Sequence, residues 1–282
     1  MITAAAKCHC GHTTDRFRLN NLRLNQTLTV GSHTVAVWRT AVQDNRCDLR
    51  IFLPSHTSEK IFLRSIPGSG NTWMRHLIES TTGVFTGSAY DDAFLATGGF
   101  LGEFDDVSSG RTLVIKEHSA GSEPSKNIIL IRNPFDAIVA EFTRRQSHSH
   151  VGLGNTNIFK DSDWNSTVKK MANSWLSANI SYLKKSSSHI IVYYEYLKRD
   201  KVKEMRRVVD FIGFKVNNLE ERLLCLQLEG SGLFKRPSRN RAVNPYSSDQ
   251  TKLIDEKIRM LGSYLKDNTE DRTPLPNYER HY

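Results

Sequence analysis

The sequence is short of the features that define several large classes of protein. No run of apolar residues in its 282 residues approaches the length of about 20 that a membrane-crossing helix needs. The first residues lack the long apolar core of a secretory signal. No internal repeat and no low-complexity tract is present. As written, the chain is therefore expected to be a soluble globular protein.

Cysteine is also scarce, with only four in the chain. That number is too small for a protein held together by a disulfide scaffold. Cys8 and Cys10 are separated by a single histidine, which is closer than the usual spacing of paired zinc ligands. The sequence therefore predicts no metal site.

Acidic residues are outnumbered, with 30 Asp and Glu against 39 Lys and Arg, which gives a net charge of +9. Such an excess favours an anionic partner, such as nucleic acid, a nucleotide, an acidic glycan or a membrane surface. A solvated basic surface would give the same composition. Because no nucleic-acid-binding motif is present, we do not expect nucleic acid to be the partner.

The composition and the predicted secondary structure of the chain change near residue 59. Residues 1–59 are polar and contain three of the cysteines, with strands predicted around Gly31 and Ser32 and a linker at residues 54–58. From residue 60 strands and helices alternate, which predicts an α/β domain over 60–282 with a parallel sheet and helices on both faces. The predicted strands cover 60–66, 111–118, 126–133 and 188–197, and the predicted helices cover 71–83, 134–146, 163–185 and 200–214.

The segment "IPGSGNTW" joins the first of these strands to its helix. Backbone N–H groups at a glycine-rich turn before a helix attract phosphate. A nucleotide-hydrolysing P-loop carries lysine after its last glycine, whereas this chain has Asn71 there. The pattern therefore favours phosphate binding without nucleotide hydrolysis, although an ordinary strand–turn–helix would also use glycines. The candidate loop residues are Pro67, Gly68, Ser69, Gly70, Asn71, Thr72 and Trp73.

This loop resembles the 5′-phosphosulfate loop of sulfotransferases that use 3′-phosphoadenylyl sulfate (PAPS), whose usual form is P-K-S-G-T-T-W. Gly68 stands where those proteins carry lysine. The resemblance implies that the loop holds the 5′-phosphosulfate of PAPS and that Trp73 stacks on adenine. Lys116, Arg64 and the backbone amides are the candidates to replace the missing lysine.

Other segments resemble further motifs of the same proteins. "LIRNPFDAIVAEF" implies that Arg132 grips the 3′-phosphate, although Ala140 occupies the place of the usual serine. "VIKEHSAG" implies that Lys116 stabilises charge at the sulfuryl group and that His118 is the general base, with Glu117 as its rival. "VYYEYL" implies adenine contact by Tyr194, and "FKRPSRNR" implies that Lys235, Arg236 and Arg239 close over the 3′-phosphate.

Each of these residues also has a plainer interpretation. His118 could be structural, Arg132 could pair with Asp136 on the helix, and Tyr194 could be part of the core. The basic segment could be a solvated loop. The order of the motifs favours the functional interpretation, because each lies at a strand end, where ligands bind in open α/β sheets.

Over residues 46–280 the chain resembles the family of WSC-domain-containing sulfotransferases (WSCD), in which the loop normally reads P-G-[AS]-G-N-T-W. "KCHCGHTTDRF" resembles the end of a WSC domain, so that residues 1–59 would be a remnant of that module and its linker. The family implies a sulfotransferase fold and a Golgi membrane protein whose anchor is absent from this sequence. A lumenal position would give meaning to the glycosylation triplets at Asn25, Asn165 and Asn179, and would permit a disulfide between Cys47 and an upstream partner.

The predicted activity is transfer of the sulfuryl group of PAPS to a glycan hydroxyl, with sialic acid among the candidate acceptors and no metal. Residues 87–106 and 144–163 are expected to frame the acceptor. A P-loop kinase is a weaker alternative, because the lysine and a magnesium-binding aspartate are not evident. A glycan-binding protein with an inactive sulfotransferase-like domain is a third interpretation, which Gly68 and Ala140 favour.

Overall fold

The structure is a computed structural model that describes residues 22–30, 33–40, 49–121, 125–147, 158–159, 162–228, 244–269 and 274–278. For residues 22–30 and 33–40 only the backbone is described. The strands are β1 (Leu22–Val30), β2 (His33–Thr40), β3 (Arg50–Ile51), β4 (Ile61–Arg64), β5 (Gly87–Ser88), β6 (Ile115–Glu117), β7 (Ser125–Ile131) and β8 (Ser186–Tyr193). The helices are α1 (Asn71–Thr82), α2 (Ala93–Thr97), α3 (Pro134–Ser147), α4 (Ser162–Lys184), α5 (Tyr194–Arg199), α6 (Lys201–Ile212), α7 (Leu219–Leu228) and α8 (Ser248–Asn268).

The main sheet has five parallel strands in the order β5-β6-β4-β7-β8. Strand β4 lies in the middle, although it is the first of the five along the chain. The chain continues from β4 to β5 and β6 on one side of it, and then crosses over to β7 and β8 on the other side. A reversal of this kind opens a crevice at the carboxyl ends of the strands, which is where such folds bind ligands.

Alternate residues of β7 supply the two halves of the core. Ile128 and Leu130 pack with apolar residues of α1, α6 and α7 on one face. Ile129 and Ile131 pack with residues of α4 and α8 on the other. Both faces are buried, which explains why the strand is a continuous apolar run rather than an alternating one. The predicted α/β fold, with helices on both faces of a parallel sheet, is confirmed.

The observed ends of the helices agree with the predicted ends more closely than those of the strands do. Gly83 and Gly213 cap α1 and α6 with φ values of 72° and 76°, as predicted from their positions after the last apolar turn. The predicted strand at 111–118 is shorter, since only Ile115–Glu117 joins the ladder. The strand predicted over 188–197 ends at Tyr193, and Tyr194 begins helix α5.

The predicted hairpin before the main domain is also present, because β1 pairs with β2 in antiparallel register. Strand β3 extends this small sheet, and Ile51 also forms a parallel bridge with Val84. Arg50 and Leu53 are buried in the structure. Residues that precede the predicted boundary at 59 therefore contribute side chains to the interior of the main domain.

Candidate active site

The residues predicted to act in catalysis and binding follow the carboxyl ends of neighbouring parallel strands. The loop at residues 65–70 follows β4, and Lys116 and His118 lie at the end of β6. Arg132 follows β7, and Tyr194 follows β8. Since these strands are parallel and adjacent, the topology alone brings the residues together at the carboxyl end of the sheet.

The loop has a backbone that only glycine adopts easily. Gly68 has φ +86° and Gly70, the residue before α1, has φ +95°. A Cβ at Gly68 would lie 2.3 Å from the carbonyl oxygen of Ala137, and one at Gly70 would lie 2.7 Å from the ring of Tyr194. The loop is therefore packed between α3 and Tyr194, and the lysine of the usual sulfotransferase loop has no room for its first side-chain atom at Gly68.

Arg132 contacts this loop directly. Its Nη1 donates a hydrogen bond of 2.8 Å to the carbonyl oxygen of Gly68, and its guanidinium lies 4.3 Å from the ring centre of Tyr194. The indole of Trp175 donates to the carbonyl oxygen of Arg132 at 2.9 Å and so fixes the backbone. Within the described residues no ion pair joins Arg132 to Asp136, so the plainer interpretation of Arg132 as a helix-surface partner does not fit its contacts.

Three buried polar atoms around the loop have no hydrogen-bond partner among the described residues. They are Ser69 Oγ, Asn71 Oδ1 and Arg132 Nε. An unsatisfied buried polar group costs roughly 1–3 kcal/mol, so such groups concentrate where a polar ligand is bound. Ser69 Oγ and Arg132 Nε can donate, so together with the glycine-shaped backbone these two atoms fit a phosphate-bearing nucleotide.

Trp73 and Tyr194 form an aromatic pair at the mouth of the loop. Their ring centres are 5.3 Å apart with an interplanar angle of 67°, and both rings pack against the core. Tyr194 also contacts Arg132, so the loop, the predicted adenine residues and the predicted 3′-phosphate residue form one contact group. Glu195 helps to hold the group together, because its Oε1 accepts a 2.9 Å hydrogen bond from the backbone N–H of Asn133.

Contacts of its ring, its backbone N–H and its carbonyl oxygen fix the position of His118. Its Nδ1 lies 2.6 Å from the carbonyl oxygen of Ser65, and its backbone N–H donates to the hydroxyl oxygen of Tyr90 at 2.9 Å. Tyr182 donates its hydroxyl proton to the carbonyl oxygen of His118 at 2.6 Å. Burial lowers the pKa of the His118 imidazole below its ordinary value, and the nearby Lys116 charge adds to the decrease. The ring is therefore neutral at pH 7.

Glu117, the rival base, is occupied by other groups. Its carboxylate pairs with the guanidinium of Arg64 and accepts a hydrogen bond from the hydroxyl of Ser119. Arg64 is itself buried, and it also donates to Ser119 and to the side chain of Asn127. These contacts account for Arg64 without any contact to the loop, and they favour His118 over Glu117 as the base.

Lys116 is 7% exposed and faces a buried carboxylate. Its Nζ lies 3.8 Å from Oε1 of Glu103 and 5.4 Å from the ring centre of Tyr90. Burial lowers the pKa of Lys116, while the negative charge of Glu103 opposes the decrease. Lys116 is thus near Tyr90, which also contacts His118.

Next to the loop, α3 carries a buried carboxylate with two arginines. Glu141 accepts hydrogen bonds from Arg144 at 2.8 Å and from Arg145 at 2.7 Å. The positive charge of Arg144 also lowers the pKa values of Lys116 and His118, although it is not the main cause of either shift. Ala140, in the place of the usual serine, is buried and offers no hydroxyl.

Sequence reasoning missed the residues that orient the catalytic candidates. Tyr90, Glu103 and Tyr182 contact Lys116 or His118, but no short motif includes them. The basic residues predicted to close over the 3′-phosphate, Lys235, Arg236 and Arg239, lie outside the described residues.

Neither a metal centre nor a membrane span is found in the described part of the chain. No group of three or more His, Cys, Asp or Glu side chains there could hold a metal ion. Of the helices described, none has both the length and the hydropathy to cross a bilayer. Cys225 on α7 is disulfide-bonded, a bond that the sequence did not predict, and the other cysteines lie outside the described residues.

Comparison with known proteins identifies relatives over most of the chain. The family described as "Sulfotransferase domain" matches residues 113–257. WSCD family member CG9164 of Drosophila melanogaster is 32% identical over 237 residues, which cover 79% of this chain and 73% of the relative. WSCD family member AAEL009094 of Aedes aegypti is 35% identical over 72% of this chain, but the match spans only 65% of the relative.

Solved structures give a more distant likeness. Mouse sulfotransferase SULT7A1 complexed with PAP has a TM-score of 0.49 and 18% identity, and covers 75% of this chain and 89% of its own. A sulfotransferase from Alicyclobacillus acidocaldarius has a TM-score of 0.36 and 13% identity, with coverage of 76% and 96%. The sequence matches establish the family: the chain belongs to the WSCD family and carries a sulfotransferase domain.

Proposed function

We propose that this protein transfers the sulfuryl group of PAPS to a hydroxyl of a glycan, without a metal. One observation carries the proposal. The glycine-shaped loop at residues 66–71 meets Arg132, and buried polar atoms of Ser69 and Arg132 have no partner among the described residues. Such a site suits a ligand with phosphate groups, and the sulfotransferase domain supports PAPS as that ligand.

The nucleotide would be held by residues from three strand ends. The backbone amides of residues 68–71 and the hydroxyls of Ser69 and Thr72 are the donors for the 5′-phosphosulfate. Arg132 offers its planar guanidinium to the 3′-phosphate, and Trp73 and Tyr194 offer ring surfaces to adenine. When bound, PAPS supplies an activated sulfuryl group whose leaving group is 3′,5′-ADP. Lys235 and Arg236 remain proposed contacts of the 3′-phosphate.

His118 is the proposed general base. A carbonyl oxygen can only accept a hydrogen bond, so its contact with Ser65 places the proton of the neutral ring on Nδ1. The lone pair then lies on Nε2, for which the described residues provide no hydrogen-bond partner. Nε2 can therefore take the proton of an acceptor hydroxyl, which is how a positioned histidine accelerates attack by a weak nucleophile.

Lys116 is the proposed stabiliser of negative charge at the sulfuryl group. It replaces the loop lysine that Gly68 cannot accommodate. A cation in a largely buried position acts strongly on developing charge because water does not screen it. Lys116 and His118 both lie beside Tyr90, which supports roles for the two side chains at one reacting group.

A glycan acceptor, with sialylated glycans as the candidates, is supported by exposed aromatic rings in the segment at residues 87–106. Their exposed fractions are 38% for Tyr90, 51% for Phe94 and 55% for Phe104, and Tyr90 contacts His118. Exposed rings suit the apolar faces of sugars. Arg144 and Arg145 together outweigh Glu141 by one positive charge, which suits an anionic sugar.

The Golgi lumen is the proposed compartment, with membrane attachment through an anchor outside this sequence. The resemblance to the WSCD family implies this compartment. The disulfide at Cys225 supports it independently, because disulfides persist in the secretory pathway and are rare in the reducing cytosol.

Calorimetric titration of the full chain with 3′,5′-ADP, in the presence of a metal chelator, tests the nucleotide site. We expect binding of 3′,5′-ADP to the parent protein and loss of most of it in Arg132→Ala. Arg199→Ala is the matched control, since Arg199 also lies over a tyrosine ring, at 4.7 Å from Tyr196, but on the exposed surface of α5. It should bind 3′,5′-ADP like the parent.

The same titration separates the alternatives. ATP with magnesium bound in preference to 3′,5′-ADP would indicate a kinase-like site and contradict the proposal. Failure of the folded parent protein to bind either nucleotide would contradict it as well, and would favour a glycan-binding protein with an inactive domain.

A further inference from the structure

A chain of buried charges runs from β3 to the candidate active site. Ion pairs join Arg50 to Glu79, Arg75 to Glu103 and Glu103 to Lys116. The hydroxyl of Thr86 links the first pair to the rest, because it accepts from Arg75 and donates to Glu79. Arg75 and Glu103 have no exposed side-chain surface, and Glu79 is 3% exposed. None of these residues except Lys116 has a role in the proposed reaction. Buried charges are costly unless paired, so this arrangement calls for a reason.

The two oxygens of Glu103 are used differently. Oε2 lies 2.5 Å from Nη1 of Arg75, while Oε1 is buried and accepts no hydrogen bond from the described residues. Oε1 is the oxygen that lies 3.8 Å from Nζ of Lys116. The pair is thus beyond direct hydrogen-bonding distance but close enough for a strong electrostatic interaction in a buried site.

The position of Glu103 is fixed by its neighbours. Arg75 donates to Oγ1 of Thr86 at 2.8 Å and to its carbonyl oxygen at 3.1 Å. The short 3-10 turn Leu101–Phe104 packs so closely on the same residue that a Cβ at Gly102 would lie 2.4 Å from the Thr86 carbonyl oxygen. Glu103 therefore cannot follow Lys116 if the lysine moves.

We propose that Glu103 is a positioning residue for Lys116: its free carboxylate oxygen keeps the lysine ammonium charged and holds it on the side of Tyr90 and His118, where the sulfuryl group is to bind. Arg75 anchors this carboxylate, and Thr86, which also donates to Glu79, anchors Arg75 in turn. The proposal rests on the proposed function only for the identity of the group that Lys116 meets.

The electrostatic surroundings make Glu103 the main support of the lysine charge. Burial lowers the pKa of Lys116, and among the nearby charges Glu103 is the strongest that raises it. The charged and titratable groups that face Lys116 are Glu103 from the 3-10 turn, Arg75 from α1, Asp92 before α2, Arg144 from α3, and Tyr90 and His118 beside it. Removal of the Glu103 charge would leave the lysine between two arginines with Asp92 as its weaker partner.

The experiment is a pH titration of the Lys116 side chain by NMR in protein labelled with ¹³C-lysine. Loss of its signal in Lys116→Arg assigns the Cε resonance. Glu103→Gln keeps the side-chain volume and an acceptor for Arg75 but removes the charge. We expect it to lower the titration midpoint of Lys116 by about one pH unit or more, as loss of an opposite charge at this distance does. Thermal unfolding shows that each variant is folded.

Glu79→Gln is the matched control, because Glu79 is a buried carboxylate in the same charge chain that does not contact Lys116. It should alter thermal stability without changing the Lys116 midpoint. If Glu103→Gln does not fold, Glu103→Asp retains the charge for Arg75 but retracts the oxygen from Lys116. That variant should lower the midpoint by a smaller amount, and Glu79→Asp is then its control.

Binding measurements connect the charge to the site. In Glu103→Gln the affinity for PAPS should decline at a lower pH than in the parent, while the affinity for 3′,5′-ADP, which lacks the sulfuryl group, should not change.

An unchanged Lys116 midpoint would overturn the proposal, and Glu103 would then serve only to neutralise Arg75. A lowered midpoint without any change in PAPS binding would overturn the placement of Lys116 at the sulfuryl group. If the parent binds neither nucleotide, the proposed function fails, and the midpoint alone decides whether Glu103 keeps Lys116 charged.

Discussion

Nδ1 of His118 lies 2.6 Å from the carbonyl oxygen of Ser65, the first residue after strand β4. This contact joins the end of β6 to the start of the phosphate loop, and it selects the tautomer whose free lone pair is on Nε2. The orientation of the proposed base thus depends on the backbone of the proposed nucleotide site. A disturbance of the loop should therefore alter both binding and proton transfer.

His118→Ala should reduce turnover with PAPS and a sialylated glycan by roughly 10²- to 10⁴-fold, the range expected for loss of a general base. Binding of 3′,5′-ADP should be retained, since His118 is not one of its proposed contacts. His189→Ala on β8, toward the opposite end of the sheet, is the control and should keep both properties. Full activity of His118→Ala would contradict the assignment of the base.

The pH dependence of kcat/KM should reflect the lowered pKa of His118. A base acts in its deprotonated form, so activity is lost as pH falls through the pKa. Because burial lowers this pKa, the acid limb should have its midpoint below the usual value of about 6.5. A pH–rate profile of the parent protein measures the midpoint, and one clearly above 6.5 would be inconsistent with a buried neutral imidazole.

Gly68→Lys, which would recreate the usual sulfotransferase loop, should weaken nucleotide binding rather than improve it. Gly68→Ala should act in the same direction, since a Cβ there would meet the Ala137 backbone as well as adopt a left-handed conformation. Gly213→Ala is the control, because it has φ +76° and no atom within 4 Å of the new Cβ. It should lose only about 1–2 kcal/mol of unfolding free energy through backbone strain.

Comparison of the two alanine variants by chemical denaturation isolates the steric effect. Gly68→Ala should lose more unfolding free energy than Gly213→Ala and should also bind 3′,5′-ADP more weakly. Equal losses, with nucleotide binding intact, would mean that the loop can move away from α3 and that lysine is absent for another reason.

Of the predicted glycosylation sites on α4, only Asn165 should carry a glycan. Its side chain is exposed, whereas that of Asn179 is 1% exposed and donates to the carbonyl oxygen of Trp175 at 2.8 Å. Glycopeptide mass spectrometry after expression through a eukaryotic secretory pathway tests both sites. A glycan on Asn179 of the folded protein would be incompatible with the packing of α4.

Peptide mapping without reduction should recover Cys225 in a cross-linked peptide. The sequence of the cross-linked peptide identifies the partner, since the other cysteines lie outside the described residues. Cys225→Ser should lower the melting temperature under non-reducing conditions but not in the presence of dithiothreitol. Alkylation of Cys225 without prior reduction would contradict this bond.

Local chemistry explains which elements the sequence could predict. The glycines at 83 and 213 end helices because their left-handed conformation is available to few other residues, and Pro134 begins α3 because its fixed φ suits a first helical turn. The strand predicted over 111–118 was too long, since an apolar run indicates that residues are buried but not that their backbone pairs with a neighbouring strand. Residues 112–114 are buried, but they lie before the ladder.

The supporting residues of the site could not be predicted in the same way. Glu103 reaches Lys116 from a short turn, and Tyr182 reaches His118 from the last turn of α4. Neither contact corresponds to a recognisable motif in the sequence, because each joins residues that only the packing of separate elements brings together. Arg64, which appeared to be a candidate for the missing lysine, is instead paired with Glu117 along adjacent strands.

The sequence by itself determined the order of strands and helices, the glycine-rich loop and the presence of Lys116, His118, Arg132 and Tyr194 at strand ends. These are consequences of local conformational preference and apolar periodicity, which act over a few residues. The tertiary structure decided which nitrogen of His118 carries the proton, that Glu117 is occupied, and that Lys116 faces a carboxylate. Those properties depend on burial and on charges from distant parts of the chain, and electrostatic interactions of that kind arise only when the folded protein excludes water from between them.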